Sequence, residues 1–270
     1  MEKDDNAPTS SIMAGDMPSC ASAAEEVRLH DDLLFVQPES SCYGDCPICT
    51  LPLPLDVSKH GNIACCSKLI CMGCFHANVI RERNEALQHT CPFCRHPTPV
   101  TLAQVHATLV ERANEANDPV AMREIGQMHY AAGDYDKAFQ YFTKSARQGD
   151  AVSHHNLSVM YRHGEGVEKD INKSIHHSVE AAIAGHPEAR LHLGVYEAKE
   201  GSMERAWKHW IIAANLGLDE AVNMLKIGYM KGLLSKEDYA AVLREHKAAV
   251  DAMKSPQREI ACIAKLGKVN

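Results

Sequence analysis

The chain has 270 residues, of which 45% are hydrophobic, 23% are charged and only 6% are aromatic. This length allows two small domains, and the scarcity of aromatic residues argues against a large β-sandwich. The formal net charge of -7 argues against nucleic acid as a partner, because phosphate binding requires clustered Lys and Arg.

The pattern of apolar residues also bears on the compartment. No segment of the sequence is apolar for long enough to span a bilayer, so no membrane partner is expected. The N-terminus lacks a basic start followed by an apolar run, so no signal peptide is predicted. A cytoplasmic or nuclear location follows as an expectation. Thiols stay reduced there, so clustered cysteines are expected to bind metal rather than to form disulfides.

Residues 1–41 are rich in Asp, Glu, Ser, Ala and Pro and show no sustained periodicity. This composition predicts a disordered acidic tail. The stretch from Val27 to Val36 is a small apolar island within it. It is either a docking motif or part of a flexible leader without a partner, and the weakness of short apolar signals favours the leader.

Cysteines dominate the next part of the chain, since nine of the eleven lie between Cys42 and Cys94. Three pairs have the spacing C-x2-C, which lets two thiolates reach one zinc ion from a tight turn, and a fourth pair is adjacent. Eight thiolates complete two four-coordinate sites with no position open for a catalytic water, so two structural Zn²⁺ ions are expected. Cys42 is left as a spare thiol. The predicted ligands are Cys46, Cys49, Cys65, Cys66, Cys71, Cys74, Cys91 and Cys94.

The order and spacing of these pairs resemble a RING-type zinc finger over residues 46–97. The resemblance implies that the first and third pairs bind one ion and that the second and fourth pairs bind the other. Lys68 stands where the family commonly has a histidine ligand. The adjacent pair Cys65–Cys66 is the preferred substitute, with His60 or His76 as the alternative ligand. A zinc-stapled module of another class is the alternative fold, since so short a block needs metal to fold in either case.

RING domains are known as ubiquitin ligases, which hold a ubiquitin-charged conjugating enzyme and have no nucleophile of their own. The resemblance implies three contacts with that enzyme: Ile48 between the first two ligands, Arg95 directly after the last ligand, and Pro97 in the second contact loop. No catalytic residue is expected. Asn78 stands where many active members have a tryptophan. A non-catalytic protein-interaction scaffold is therefore the alternative to an E3 ubiquitin-protein ligase.

Beyond the cysteine-rich block, residues 101–117 have apolar side chains at helical spacing and predict a connecting helix. The sequence then repeats itself, which must be considered before any other fold. Each repeat predicts two helices, and the second helix of the first three repeats ends on a glycine, as expected where a left-handed residue closes a helix. The similar segments begin at Ala121, Ser153, Ala189 and Ala221, and the closing glycines are Gly149, Gly185 and Gly217.

These segments resemble Sel-1-like repeats, relatives of the tetratricopeptide repeats, over residues 118–254. The resemblance is carried by the Ala-to-Gly-to-Tyr pattern of the first helix, the GEGV turn at Gly164, and the Ala-rich second helix with its large aromatic residues. Ser158 replaces the usual glycine in the second unit, and Glu197 replaces the usual tyrosine in the third. Adjacent histidines such as His154 and His155 point in different directions on a helix, so they are expected to be solvated or partly packed rather than metal ligands.

The sequence thus predicts a small zinc-stapled RING-type α+β domain at residues 42–100, followed by an all-α solenoid of helical hairpins. The disordered acidic N-terminus precedes the domain, and residues 255–270 form a C-terminal tail or a cap on the solenoid. Solenoids offer extended surfaces to partner proteins. The repeats are therefore expected to bind a protein substrate or adaptor, whose identity the sequence does not reveal.

Overall fold

The computed structural model describes residues 31–266, beginning with a single helical turn, α1 (Asp31–Leu34). The cysteine-rich block, residues 42–100, has few regular elements. They are a 3-10 turn (Val57–Lys59), strands β1 (His60–Ile63) and β2 (Lys68–Cys71), and helix α2 (Met72–Asn84). The two strands form one antiparallel hairpin in which His60 lies opposite Cys71.

The rest of the described chain is helical and forms stacked hairpins. Consecutive helices pair as α4 with α5, α6 with α7, α8 with α9 and α10 with α11, and neighbouring hairpins pack on each other, so the predicted all-helical solenoid is confirmed. None of the described helices is long and apolar enough to cross a membrane. The bounds are α3 (Leu102–Glu115), α4 (Pro119–Ala131), α5 (Tyr135–Ala146), α6 (Ala151–His163), α7 (Ile171–Ile183), α8 (Pro187–Lys199), α9 (Met203–Asn215), α10 (Asp219–Met230), α11 (Lys236–Ala252) and α12 (Pro256–Leu266).

Local sequence signals set the limits of these hairpins. The carboxylates of Asp118 and Asp150 accept hydrogen bonds from first-turn amides and so cap the N-termini of α4 and α6. Gly149, Gly185 and Gly217 follow the second helices, with φ angles of +83°, +84° and +96°. A residue with a side chain would be strained there, so the glycines fix the point at which one hairpin ends and the next begins.

Two of the hairpins are held together by a glycine that faces an aromatic ring. A Cβ atom added to Gly126 on α4 would lie 2.8 Å from the ring of Phe142 on α5. One added to Gly194 on α8 would lie 2.3 Å from the indole of Trp210 on α9. Both rings are almost fully buried. Each glycine therefore provides the space into which the ring of the second helix inserts.

The second hairpin uses a different contact at the same place. Ser158 replaces the glycine, and Ser174, sixteen residues later, replaces the aromatic residue; its hydroxyl donates to the Ser158 carbonyl at 2.8 Å. The hydroxyls of Ser158 and Ser178 are 2.7 Å apart. A small polar contact has thus replaced the glycine–ring contact on both helices, which explains the departure from the repeat pattern at Ser158.

Histidine rings line the contact between the second and third hairpins. His155 on α6 stacks on His186 with ring centroids 4.2 Å apart and lies 5.4 Å from His192 on α8. Burial, reinforced by neighbouring positive charge, lowers the pKa of His155 to about 3 and that of His192 to about 4. The pKa of His186 is also well below its ordinary value, again mainly through burial. All three rings are therefore neutral in the folded protein at neutral pH.

Acid should destabilise this contact. The pKa of each ring is lower in the folded chain than in the unfolded chain, so the unfolded chain binds protons first as the pH falls through about 6.5. The free energy of unfolding is then highest above that pH, and each ring lowers it by about 1.4 kcal/mol per pH unit between there and its folded pKa. Urea unfolding followed by helical circular dichroism from pH 7.5 to 4.5 measures this slope.

The variant His155→Phe isolates the contribution of one ring. Protonation of the cysteine thiols in acid affects wild type and variant alike, so it cancels in the difference between their slopes. We expect the free energy of unfolding of the variant to fall less steeply with pH. The difference between the two slopes should be about 1.4 kcal/mol per pH unit, the contribution of one ring. Parallel curves for the two proteins would show that His155 is not buried as a neutral ring.

The predicted disordered tail differs from the structure in its last eleven residues. Residues 1–30 lie outside the described part of the chain, so the prediction stays a prediction there. From residue 31 onward the chain packs on the solenoid: Leu34 is fully buried against α7 and α8. Further on, the amide of Cys42 donates to the carbonyl of Gly185 at 3.0 Å. Burial of Leu34 supplies the apolar contact that a tail of this composition otherwise lacks.

The cysteine-rich block packs against the solenoid at more than one hairpin. Ala64 belongs to the apolar cluster of α3 and α4, and Leu55 packs against the cluster formed by α9, α10 and α11. Arg112 on α3 donates to the Cys65 carbonyl at 3.2 Å and to the Ser67 hydroxyl at 3.0 Å. The block therefore contacts the solenoid at its first and at its later hairpins.

The last helix, α12, returns to the cysteine-rich block instead of extending the solenoid. It packs on α2, and a Cβ atom added to Gly73 would lie 3.0 Å from the backbone of Arg258. A C-terminal tail or a cap on the solenoid is predicted for residues 255–270, of which 267–270 lie outside the described residues. On α12 the side chains of Ile260 and Ile263 are 57% and 69% exposed, so they do not cap the solenoid. The buried position is Ala261, which suits the close approach of two helices.

Candidate metal centre

The first cysteine cluster joins the loop before the strands to the start of α2. Cys46 and Cys49 lie in that loop, Cys71 ends β2, and Cys74 lies in the first turn of α2. Their sulfur atoms all lie within 4.8 Å of one another, and the Sγ atoms of Cys49 and Cys71 are 3.8 Å apart. The Cys74 amide donates to the Cys71 Sγ at 3.4 Å, so the helix start also orients a sulfur.

The second cluster joins the turn between the strands to the loop after α2. Cys65 and Cys66 occupy the turn, which closes through Ser67 at a φ of +52°. The Sγ atoms of Cys65 and Cys94 are 3.3 Å apart, and those of Cys66 and Cys91 are 3.8 Å apart. A left-handed turn thus lets two adjacent cysteines face the same centre, and all four sulfur atoms lie within 4.8 Å of one another.

The donor set and spacing suit a tetrahedral metal ion. A Zn–S bond of about 2.3 Å places the sulfur atoms of one site roughly 3.8 Å apart. All ten cysteines of residues 31–266 are free thiols, so no disulfide competes for them. The two clusters interleave along the chain. The first and third cysteine pairs form one cluster, and the second and fourth pairs form the other. The structure therefore brings together the eight predicted ligands in two groups that could each hold a metal ion.

Charge repulsion within a cluster also favours a cation. The hydrogen bond from Cys71 lowers the pKa of Cys46 to about 4, and the same contact raises the pKa of Cys71. Burial raises the pKa of Cys74 to about 12 in the same cluster. Four thiolates cannot all be charged at this distance unless a positive ion compensates them, which is what a divalent metal supplies.

The histidines considered as alternative ligands lie apart from both clusters. His60 is buried against Tyr43, with ring centroids 4.9 Å apart, and burial lowers its pKa. Neither His60 nor His76 belongs to a group of side chains that could hold a metal ion among the described residues. The spare thiol Cys42 also lies outside the clusters, where burial and the nearby acid Glu188 raise its pKa to about 12.

A buried glutamate that the sequence analysis missed orders the second cluster. Glu82 on α2 is 2% exposed and accepts hydrogen bonds from the Thr90 amide at 2.9 Å, the Asn78 amide at 2.8 Å and His89 Nδ1 at 2.7 Å. Burial opposes ionisation of this carboxyl, but the hydrogen bonds prevail and lower its pKa to about 2. Glu82 thereby ties α2 to the residue before Cys91. Asn78 and Glu82 are four residues apart, a spacing that places both side chains on the same face of a helix, and this spacing could have indicated their contact.

The three predicted contact residues lie on the surface of the block. Ile48 is 41% exposed, and Arg95 and Pro97 are exposed as well. Arg95 has a φ of +66°, and its amide donates to the Cys91 carbonyl at 3.0 Å, so the second cluster fixes its backbone. Asn78, at the position of the usual tryptophan, donates to the Thr90 carbonyl at 3.1 Å and is used inside the fold.

Arg258 on α12 is a second residue that the sequence analysis missed. Its Nη2 lies 3.4 Å from Cys49 Sγ and donates to the Leu51 carbonyl at 3.1 Å, while its Nη1 donates to the Pro52 carbonyl at 2.7 Å. The guanidinium therefore covers the loop of the first cluster and places positive charge beside a sulfur ligand. More than 200 residues separate the partners, and no local pattern marks such a contact.

Comparison with known families identifies the solenoid. The Sel1 repeat family matches residues 119–150, 151–186 and 187–218. These ranges coincide with the hairpins α4–α5, α6–α7 and α8–α9, which confirms the repeats predicted from the sequence. The match includes neither the cysteine-rich block nor the fourth hairpin, α10–α11.

Curated relatives share only part of the chain. DAP3-binding cell death enhancer 1 of Mus musculus is 24% identical over 192 residues, and that of Rattus norvegicus is 28% identical over 192 residues. Each alignment covers 56% of this chain and 38% of the relative, so the chain spans less than half the length of these proteins.

Solved structures with a similar fold include two bacterial proteins. A Sel1 repeat protein from Oxalobacter formigenes is 24% identical, with a TM-score of 0.49 over 66% of this chain and 72% of that one. A protective antigen of uropathogenic Escherichia coli with an SLR fold is 19% identical, with a TM-score of 0.44 over 64% of this chain and 37% of the antigen.

Proposed function

Because residues 119–218 are Sel1 repeats, which serve as protein-interaction scaffolds, we propose that this chain is a RING-type ubiquitin ligase built on such a scaffold. In this proposal the cysteine-rich block binds two structural Zn²⁺ ions and docks a ubiquitin-conjugating enzyme. The solenoid holds a protein substrate or adaptor. The chain supplies no catalytic nucleophile and brings two other proteins together.

The observation that carries the proposal is the interleaving of the two cysteine clusters. Cys46, Cys49, Cys71 and Cys74 group together, while Cys65, Cys66, Cys91 and Cys94 form the other group. This is the ligand order that the RING resemblance implies. Thiolate-rich sets of four suit zinc among the common metal ions, and a closed set leaves the metal a structural role.

The exposed residues of the block supply the docking surface in this proposal. Ile48 offers an aliphatic contact beside the first cluster. Arg95 offers a planar guanidinium that can hold two acceptors at once, on a backbone fixed by the second cluster. Pro97 lies two residues further along the same exposed loop.

Two features favour a second candidate, a scaffold without ligase activity. The first-cluster loop is partly covered by Arg258, and Asn78 is engaged in hydrogen bonds inside the block. Both features reduce the apolar surface open to a conjugating enzyme. In either case the partners are proteins rather than nucleic acid or a membrane, and the reduced thiols suit the cytosol or nucleus.

Ubiquitin transfer with purified components distinguishes the two candidates. The full chain is mixed with ubiquitin, activating enzyme and a panel of conjugating enzymes, and discharge of the charged conjugating enzyme is timed. A ligase should accelerate discharge by at least about tenfold, and Ile48→Ala and Arg95→Ala should each remove most of the effect, since interface centres carry most of the binding energy.

The control for this assay is Leu102→Ala, which removes an apolar side chain that is 81% exposed on α3, outside the block. This variant should discharge the conjugating enzyme at the wild-type rate. If no enzyme of the panel is discharged faster in the presence of the wild-type chain, the ligase proposal fails and the scaffold without activity is left.

A further inference from the structure

Residues 33–37 are called the 33–37 segment below. This segment lies against the second and third hairpins of the solenoid, although about 150 residues of the chain separate it from the arginine that it contacts there. Leu34 is 0% exposed and inserts among Ile175, Val179 and Leu193, which belong to α7 and α8. Leu33 and Val36 on either side are 60% and 56% exposed. Leu34 is therefore the fully buried anchor of the segment, and a few buried side chains usually carry most of the energy of a binding interface.

A buried arginine donates hydrogen bonds to the backbone of this segment. Arg190 on α8 is 0% exposed, and its two terminal nitrogens donate to the carbonyls of Leu34 and Val36. Leu34 ends the single turn α1 and Val36 lies just beyond it, and the last carbonyls of a helix have no partner within the helix. Burial lowers the pKa of Arg190 to about 10. Among the described side chains, residues 33–264, the hydrogen bonds of this guanidinium go to backbone carbonyls, which its two terminal nitrogens reach, and none goes to a carboxylate.

The next side chain is recognised by a different element. Phe35 lies 4.8 Å from the Arg205 guanidinium and 5.6 Å from Lys208 Nζ on α9, measured from its ring centroid. Its ring is tilted against His209 at 4.8 Å. Cations over an aromatic face favour Phe over an aliphatic residue. The Gln37 side chain then accepts from Asn215 at 3.2 Å, at the end of α9.

From these contacts we propose that the groove between α7, α8 and α9 is a peptide-binding site, selective for a helical-turn segment carrying Leu followed by Phe. The 33–37 segment occupies it within the chain and competes with a protein partner that presents the same pair. The inference rests on the proposed function only in that the repeats hold a protein partner, and it names the chemistry of that partner. It does not depend on ligase activity.

The groove is tested by emptying it in the full chain and offering the segment back. The double variant Leu34→Ala/Phe35→Ala is titrated into a fluorescein-labelled peptide of residues 31–39, and fluorescence anisotropy reports binding. We expect the double variant to bind the peptide at least about tenfold more tightly than wild type, because the tethered segment competes at an effective concentration on the order of millimolar.

Changes in the peptide keep the test independent of protein folding. A labelled peptide in which alanine replaces both Leu34 and Phe35 should not bind the double variant, and Arg190→Ala added to the double variant should abolish binding of the unchanged peptide. Equal binding of the two peptides would overturn the inference, as would absence of binding by a double variant that keeps the wild-type circular dichroism.

Loss of the helical fold in the double variant would also overturn the inference, because the segment would then be an integral part of the solenoid. The ubiquitin-discharge assay is run on the same double variant. Wild-type discharge together with absent peptide binding refutes only the groove, whereas peptide binding without discharge refutes only the ligase proposal.

Discussion

On the proposed ligand scheme, replacing Cys71 by serine should leave the chain with one metal ion instead of two and unfold the part of the cysteine-rich block around the first cluster. Cys71 ends β2 and precedes α2, so its sulfur joins the hairpin to the helix. Structural zinc sites contribute about 10–16 kcal/mol of apparent binding free energy, and the apolar core of this block is small. Even a change in the residues that orient ligands costs about 10–100-fold in metal affinity, so loss of a ligand should exceed that.

Native mass spectrometry counts the ions, and hydrogen exchange locates the unfolding. Amides around the first cluster should lose protection in Cys71→Ser, while those of α4 to α9 keep theirs. The matched control is Cys42→Ser, which changes a half-buried thiol outside both clusters and should keep two ions. Two ions in Cys71→Ser, or a folded wild-type chain that never carries metal, would contradict the ligand scheme.

Gly194→Ala should destabilise the solenoid by about 2–3 kcal/mol, the upper part of the range for overpacked cores. In an open helix the same change stabilises by about 1 kcal/mol, because alanine favours the helix more than glycine does. Here the added Cβ would meet the indole of Trp210 at 2.3 Å, and that ring is buried and also bonded to the Leu191 carbonyl. The sign of the effect therefore reports whether the ring occupies the glycine's space.

Thermal unfolding of the metal-loaded protein measures this effect, which corresponds to a fall of roughly 5–10 °C in Tm for a domain of this size. Gly61→Ala is the matched control, since a Cβ at that position meets no atom within 4 Å. It should leave Tm unchanged or slightly raised. A Gly194→Ala protein as stable as wild type would show that α8 and α9 are not packed through this contact.

The repeats were predictable because their signals are local. Capping aspartates, closing glycines and the alternation of small and large residues act over one or two helical turns, so their spacing along the chain carries the fold. The cysteine pairs were readable for the same reason, since C-x2-C spacing places two sulfurs in one turn. The spacing of Cys65 and Cys66 does not by itself predict that both sulfurs face one centre. The left-handed turn at Ser67 brings them together, and the β1–β2 hairpin sets that turn.

The contacts between distant segments were not predictable. Leu34 enters the solenoid because Arg190 and an apolar pocket meet it there, and its own composition marks only a weak apolar island. Arg258 reaches the first cluster because α12 packs on α2 at Gly73. Ser158 was visible as a departure from the repeat, but its meaning depends on Ser174 across the hairpin. Such pairings depend on tertiary packing, which a single sequence does not display.

The return of α12 to the cysteine-rich block has a mechanical consequence. A solenoid whose repeats touch only their neighbours bends like a spring, with its two ends free to move apart. Here α3, the helix before the first hairpin, is held to the block through Arg112, and the chain beyond the last hairpin is held through Arg258. The cysteine-rich block therefore links the two ends of the helical array, so we expect its folding to set the curvature of the array. Unfolding of the block should let the array straighten.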